Sequence, residues 1–282
     1  MLLSLALACV APPPGEDPTG SPSSPTPTPG TATLPGYQPL RVGGFNVESG
    51  GADVQVVADE VVAANAGIAL WGFVEVQDEK WADLLADASG GLDYFYGTTG
   101  WEDHMVLAWD PEVVVVEQIE ELHWINVGGT VRAPISGTFV DRATGTAFLF
   151  VVNHLWRTED ALRHEQAELL HDWVAEQTLP AIWVGDYNFD WDVPSDGAAS
   201  HDAGYDSLTA GGLVEWVKFD PLEKTQCSSY YNSVLDFTFV SGAAREWAAF
   251  AEIPPLPADY CTTDTLDRSD HKPVIATFTL AD

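Results

Sequence analysis

From Leu40 onward the chain is a succession of short apolar runs separated by stretches of helical periodicity, an alternation that narrows the possible folds to layered α/β types. Strands are expected at Leu40–Val47, Gly67–Val76, His104–Trp109, Val113–Glu117, Arg132–Val140, Ala147–His154, Ala181–Gly185, Val234–Val240 and Pro273–Leu280. Helical spacing marks Val54–Ala66, Lys80–Ala88 and Thr158–Glu176, the last with Leu162, Gln166, Leu169, Leu170 and Trp173 on one side. Some strands alternate with helices and others follow one another as hairpins, so a mixed arrangement fits better than a purely parallel sheet. No apolar run reaches the ~18 residues of a membrane-spanning helix.

Ahead of this region the composition is different. Residues 11–36 hold nine of the 19 prolines among Ser, Thr and Gly, a mixture that cannot bury enough apolar surface to order itself and tends to extend. Met1–Val10 (MLLSLALACV) resembles the tail of a bacterial lipoprotein signal, with Ala6-Leu7-Ala8 before a Cys9 that would be lipidated after cleavage. It lacks a positively charged n-region, so a chance apolar N-terminus is the other reading. The expected division is a signal-like segment at 1–10, a linker at 11–36 and a folded domain at 37–282. Such a protein would be exported, to the bacterial cell envelope through a lipidated Cys9 or to the extracellular space. Cys227 and Cys261 form an even pair, suited to one disulfide in an oxidising compartment or to two buried thiols.

Charge limits the partners. The chain has 11 Lys and Arg against 43 Asp and Glu, and only Glu16 and Asp17 precede residue 37, which leaves a net charge of −30 on the remainder. So few cations cannot build a basic stripe that grips a phosphate backbone. A polyanion would have to be met through a metal ion or a small local cluster.

The residues capable of chemistry lie where apolar strands end: Asn46 and Glu48 in FNVES, Glu75 in LWGFVEV, His154 in VVNHL, Asp186 and Asn188 in VGDYN, Asp236 in LDFTFV, and Asp270 and His271 in SDHKPV. Any one of them alone reads as the first residue of a loop. Six such places, supplying carboxylates, amides and imidazoles together, read as a site, because layered α/β folds assemble sites at strand ends. Other metal readings fail. The Asp186–Asp192 stretch imitates an EF-hand loop but has Trp191 where Gly is needed and Gly197 where a bidentate Glu is needed. His164-Glu165 has no second His at i+4, which excludes a zinc-protease helix and makes His164 and His171 surface residues. There is no GxSxG elbow and no Walker loop.

In these ordered motifs, which run from Asn46 to Pro273, the chain resembles the endonuclease/exonuclease/phosphatase, or DNase I-like, superfamily. The resemblance implies a four-layer α/β/β/α sandwich of two packed mixed β-sheets flanked by helices, with divalent-metal-dependent hydrolysis of phosphate esters at one edge. It implies Asn46 and Glu75 as the main ligands of Mg²⁺ (or Mn²⁺ or Ca²⁺), with Glu48 and Asp270 as further acidic groups there. Asp186 would activate or position the attacking water, and Asn188 would orient the water or the leaving group. His154 and His271 would contact the scissile phosphate, Asp236 orienting His271. Relatives pair the first His with a second acid, a role that Asp110 fills here or that is absent. Arg132, in RAP, is a phosphate contact or a salt-bridge partner.

The expected function is a secreted or surface-tethered nuclease, a phosphodiesterase using metal-activated water. A sphingomyelinase- or inositol-phosphatase-like enzyme is the alternative, and a catalytically silent interaction module a third. Nothing calls for an obligate protein partner, and a monomer is expected.

Overall fold

In the computed structural model, residues 38–48, 51–194, 196, 200–262 and 267–280 are described. Cys9, the signal-like segment 1–10 and the linker 11–36 lie outside them. Among the described residues twelve strands form two six-stranded sheets. The first contains β1 (Leu40–Asn46), β2 (Leu70–Val76), β3 (Asp93–Tyr96), β4 (His104–Trp109), β11 (Ala248–Glu252) and β12 (Val274–Thr279), in the order β11-β12-β1-β2-β4-β3. The second contains β5 (Val114–Glu121), β6 (Ile135–Asp141), β7 (Ala147–His154), β8 (Ala181–Asp192), β9 (Val214–Trp216) and β10 (Ser233–Ser241), in the order β5-β6-β7-β8-β10-β9. β1 pairs with β2, and β7 with β8, in parallel; the other neighbours are antiparallel.

The two sheets pack face to face, and the central strands are apolar on both sides because both of their faces are covered. Along β8, Val184 points into the inter-sheet space while its neighbour Trp183 turns outward to meet Trp173 of α3 (Asp160–Ala175) edge to face at 5.4 Å. Two glycines let the sheets approach: a Cβ on Gly72 would lie 2.6 Å from Val184 Cγ2, and one on Gly44 would lie 2.9 Å from Val184 Cβ. The outer face of the first sheet carries Phe45, Trp71 and Phe73. These pack with Val57 and Val61 of the 54–65 segment and with Trp81 and Leu85 of α2 (Glu79–Ala88). On the outer face of the second sheet lie α3 and the short α4 (Ala203–Thr209). The layers are therefore α/β/β/α, as the resemblance implies.

Several element boundaries differ from expectation. The helix expected at Val54–Ala66 changes pitch along its length: α1 (Val54–Val57) passes into a π-turn at Ala58–Val62 and a tighter turn at Ala63–Asn65. α3 buries Arg163, Gln166, Ala167, Leu170, Trp173 and Val174, one position round from the expected stripe, so Leu162 and Leu169 are only half-buried. His164 and His171 are half-buried too, and His164 Nε2 lies 3.0 Å from Asp202. β8 runs seven residues beyond Gly185.

Candidate active site

Topology brings the polar strand ends to one edge of the sandwich. The parallel pair β1 and β2 ends at Asn46 and Glu75, and the parallel pair β7 and β8 puts His154 opposite Asp186. Antiparallel β10 starts at that same edge, so Asp236 also faces Asp186 in register. His271 precedes β12, which runs antiparallel to β1 and enters the sheet beside its end.

The backbone bends to aim these side chains. Glu75 has φ +61°, at a register shift between β2 and β4. Asn188 and Glu48 have φ +52° and +46°. Non-glycine residues in this region carry local strain, which concentrates where a side chain must be redirected. Gly185 is required outright: its φ is +134°, and a Cβ there would sit 1.9 Å from Asn153 O.

At the centre, the Asn46 Nδ2 donates to Glu75 Oε1 at 3.0 Å and to Asp186 Oδ2 at 3.1 Å, while Asn46 Oδ1 accepts from the Glu48 amide at 2.9 Å. His154 Nε2 lies 3.7 Å from Glu75 Oε1 and 3.8 Å from Asp186 Oδ2, beyond hydrogen-bonding distance. His271 Nδ1 donates to Asp236 Oδ2 at 2.8 Å, and its Nε2 faces Asp186 at 3.8 Å and Asp270 at 3.7 Å. Asp186 Oδ1 accepts from the Asn188 amide, whose side-chain nitrogen donates to Leu155 O. Glu48 Oε2 accepts from the Asp270 amide at 3.0 Å. Nine of the expected residues, Asn46, Glu48, Glu75, His154, Asp186, Asn188, Asp236, Asp270 and His271, thus form one connected cluster.

Two residues for which the sequence leaves two readings open lie outside the cluster. Asp110 lies at the far end of β4, where its carboxylate caps the turn into β5 by accepting from the Glu112 amide. Among the described residues no acid bonds His154 Nδ1, which is buried without a hydrogen bond. Arg132 is ion-paired with Asp103, a residue that sequence reasoning passed over. Arg132 makes no bond to the cluster, although its charge acts on His154.

The two histidines are driven apart electrostatically. Burial holds His154 well below the usual imidazole range, reinforced by the Arg132 and His271 cations. Burial also works against a charge on His271, but the Asp236 carboxylate overcomes it and lifts the pKa to about 10. Burial raises Asp186 to about 7, helped by Asp236 and Glu75 against the opposing His271 and Asn46. Glu48 rises to about 7 for the same first reason, with Asp270 adding repulsion.

Among the described residues no Lys or Arg pairs with Glu48, Glu75, Asp186 or Asp270. Ligand atoms of Glu75, His154 and Asp186 lie within 4.8 Å of one another, as do those of Asp186, Asp236 and His271. The first set, two carboxylates and an imidazole, offers mainly hard oxygen donors around an excess of negative charge, and so fits a divalent cation.

No protein-family model matches the chain, and no curated protein matches it in sequence. Solved structures do. An endonuclease/exonuclease/phosphatase family protein from Bacteroides thetaiotaomicron is 21% identical with a TM-score of 0.64, over 86% of this chain and 100% of that one. A mannosyl-6-phosphatase from the same organism is 19% identical with a TM-score of 0.63, at the same coverages. D. rerio TDP2, solved with a single-strand DNA product, is 14% identical with a TM-score of 0.66, again over 86% of this chain and 100% of that one. At such identities the likeness is one of architecture, and it agrees with the layer order and sheet topology seen here: the chain has the DNase I-like fold of the endonuclease/exonuclease/phosphatase proteins.

Proposed function

We propose that the chain hydrolyses phosphate esters with water as the nucleophile, at the edge where β1, β2, β7, β8 and β10 meet. The observation that carries this reading is the pairing of a buried Asp186, raised to about 7, with a charged His271 that faces it at 3.8 Å. A base near neutral pH and a donor above it, within one substrate's reach, suit in-line displacement at phosphorus. Glu75 and, with its amide turned, Asn46 would hold a divalent cation, with Glu48 and Asp270 adding charge beside it. The cation, when bound, neutralises the phosphate oxygens as a Lewis acid. Asp186 takes the proton of the attacking water, its other oxygen fixed by the Asn188 amide. His271, oriented by Asp236, donates through Nε2 to a phosphate oxygen as charge develops there. His154, kept neutral by burial, contacts the phosphate as an uncharged imidazole.

The finer reading is an exported nuclease. Exposed aromatic side chains on loops of the described chain, Trp101 at 86% and Tyr230 at 91% exposure, with Trp124 and Tyr231, supply stacking surfaces where cations are scarce, which suits unstacked bases. A second reading, a small phosphate ester such as an inositol phosphate or a sphingomyelin headgroup, is favoured by the net charge of −30 on residues 37–282, which repels long polyanions. The test is turnover of DNA, RNA, sphingomyelin and inositol phosphates with Mg²⁺ and after chelation by EDTA. Turnover should need the metal; hydrolysis undiminished after exhaustive chelation, or no turnover of any of these esters, overturns the proposal.

A further inference from the structure

His271 precedes β12, and the pairing of β12 with β1 begins only at Val274, so no ladder holds the imidazole in place. Its main chain is held by Ser269, whose hydroxyl accepts from the His271 amide at 2.9 Å and donates to Asn46 O at 2.6 Å, and by two irregular segments. Tyr260 donates its hydroxyl to His271 O at 2.8 Å. From the other segment, the Cys227 amide donates to Asp270 O at 2.6 Å, and Thr225 O accepts from the Lys272 amide at 2.7 Å. Thr225 is wholly buried, and its Oγ1 also accepts from the amides of Leu235 and Asp236, at 2.9 and 3.1 Å. One residue therefore touches both the strand that carries Asp236 and the segment that carries His271. A disulfide between Cys227 and Cys261, with Cα atoms 4.8 Å apart, joins the two holding segments. Both cysteines are half-buried, so a small thiol can reach them.

We propose that the Cys227–Cys261 disulfide, with Tyr260 and Thr225, is a clamp that positions the Asp236–His271 pair, so that a dithiol lowers turnover without unfolding the protein. The inference rests on the phosphate-ester reading of the same site. Besides the isolated bridge between Gln226 and His271, single hydrogen bonds and the ion pairs of Lys272 with Glu223 and of Arg268 with Asp259 fix the holding segments to this loop, and contacts of this kind open locally at low cost. Crosslinking removes the independent motion of the two segments. In reduction the dithiol's sulfurs join as a disulfide, and its two electrons and two protons appear as the thiols of Cys227 and Cys261.

The test uses the full chain with Mg²⁺ and bis(p-nitrophenyl) phosphate, in the oxidised, dithiothreitol-reduced and reoxidised states. Reduction should lower kcat about tenfold, as expected for a slightly misplaced donor, with KM changed less than about twofold, and reoxidation should restore it. Amide exchange at Asp270–Lys272 should speed up while β1 and β8 stay protected. Tyr260→Phe with the bond intact should lower kcat about threefold and add little to the loss on reduction. Equal kcat and equal exchange in the two redox states overturn the clamp. Should reduction unfold the whole chain, Tyr260→Phe decides: unchanged kcat and exchange overturn it. An oxidised protein inactive on every phosphate ester defeats the functional reading alone, since the exchange comparison still tests the clamp.

Discussion

Asp236 and His271 are two halves of one device. Their 2.8 Å bond holds the imidazole in a single tautomer with Nε2 turned towards Asp186. His271→Ala and Asp236→Asn should each lower turnover by about 10²–10⁴-fold, the usual loss for a general acid or a charge-stabilising donor. The double variant should lose little more than the worse single one. Initial rates on the three variants check this, and fully additive losses would separate the two residues. The same charges set the pH response of stability. Glu48 and Asp186, near 7 in the folded protein, lie well above their ordinary values of 4.5 and 3.8, so the folded state binds more protons between those limits. That contribution is present below the ordinary values and is lost as pH rises to 7. His271 continues the trend between its ordinary 6.5 and about 10. Metal-free protein should therefore melt at lower temperature as pH climbs from 5 to 8, and Mg²⁺ should raise the melting point most at the high end, because its ligands must be deprotonated. Calorimetry with EDTA or Mg²⁺ across that range checks the sign; a shift independent of pH would contradict it.

At the scale of elements, legibility followed burial. Strands covered on both faces, such as β2, β7 and the first half of β8, announce themselves as unbroken apolar runs. The three strands that sequence reasoning missed, β3, β9 and β11, are all at sheet edges, and the fourth edge strand, β5, runs four residues past its expected end at Glu117, to Glu121. Edge strands are short and half-solvated, with mixed composition that leaves no period to detect. In the same way, polar residues that close an apolar run were visible, whereas Asp103, Thr225 and Tyr260 act through partners distant in sequence. Asp110 illustrates the converse, since proximity in sequence to β4 says nothing about which end of that strand faces the cluster. The join between β7 and β8 offers a direct trial. Gly185→Ala should cost at least about 2 kcal/mol, from the strained φ and the collision with Asn153 O. It should also reduce turnover per folded molecule by shifting Asp186 against His154. Denaturant melts and rates measured together check both; an unperturbed variant would remove the glycine from the account.

For the molecule as a whole, a charge of −32 should give the proposed nuclease activity the reverse of the usual response to salt. A cationic groove loses affinity as salt rises, whereas here screening weakens repulsion. KM for an oligonucleotide should stay level or fall between about 50 and 200 mM NaCl, and a steep rise would reveal a cationic track. The order of strands carries a different consequence. β12, the last described strand in sequence, is inserted between β11 and β1 inside its sheet, and Asp270 and His271 arrive with it. During synthesis Asn46 and Glu75 emerge well before Asp270 and His271, and until β12 is delivered β1 has an unpaired flank where its neighbour belongs. The event that seals the sheet is thus also the event that completes the side-chain cluster.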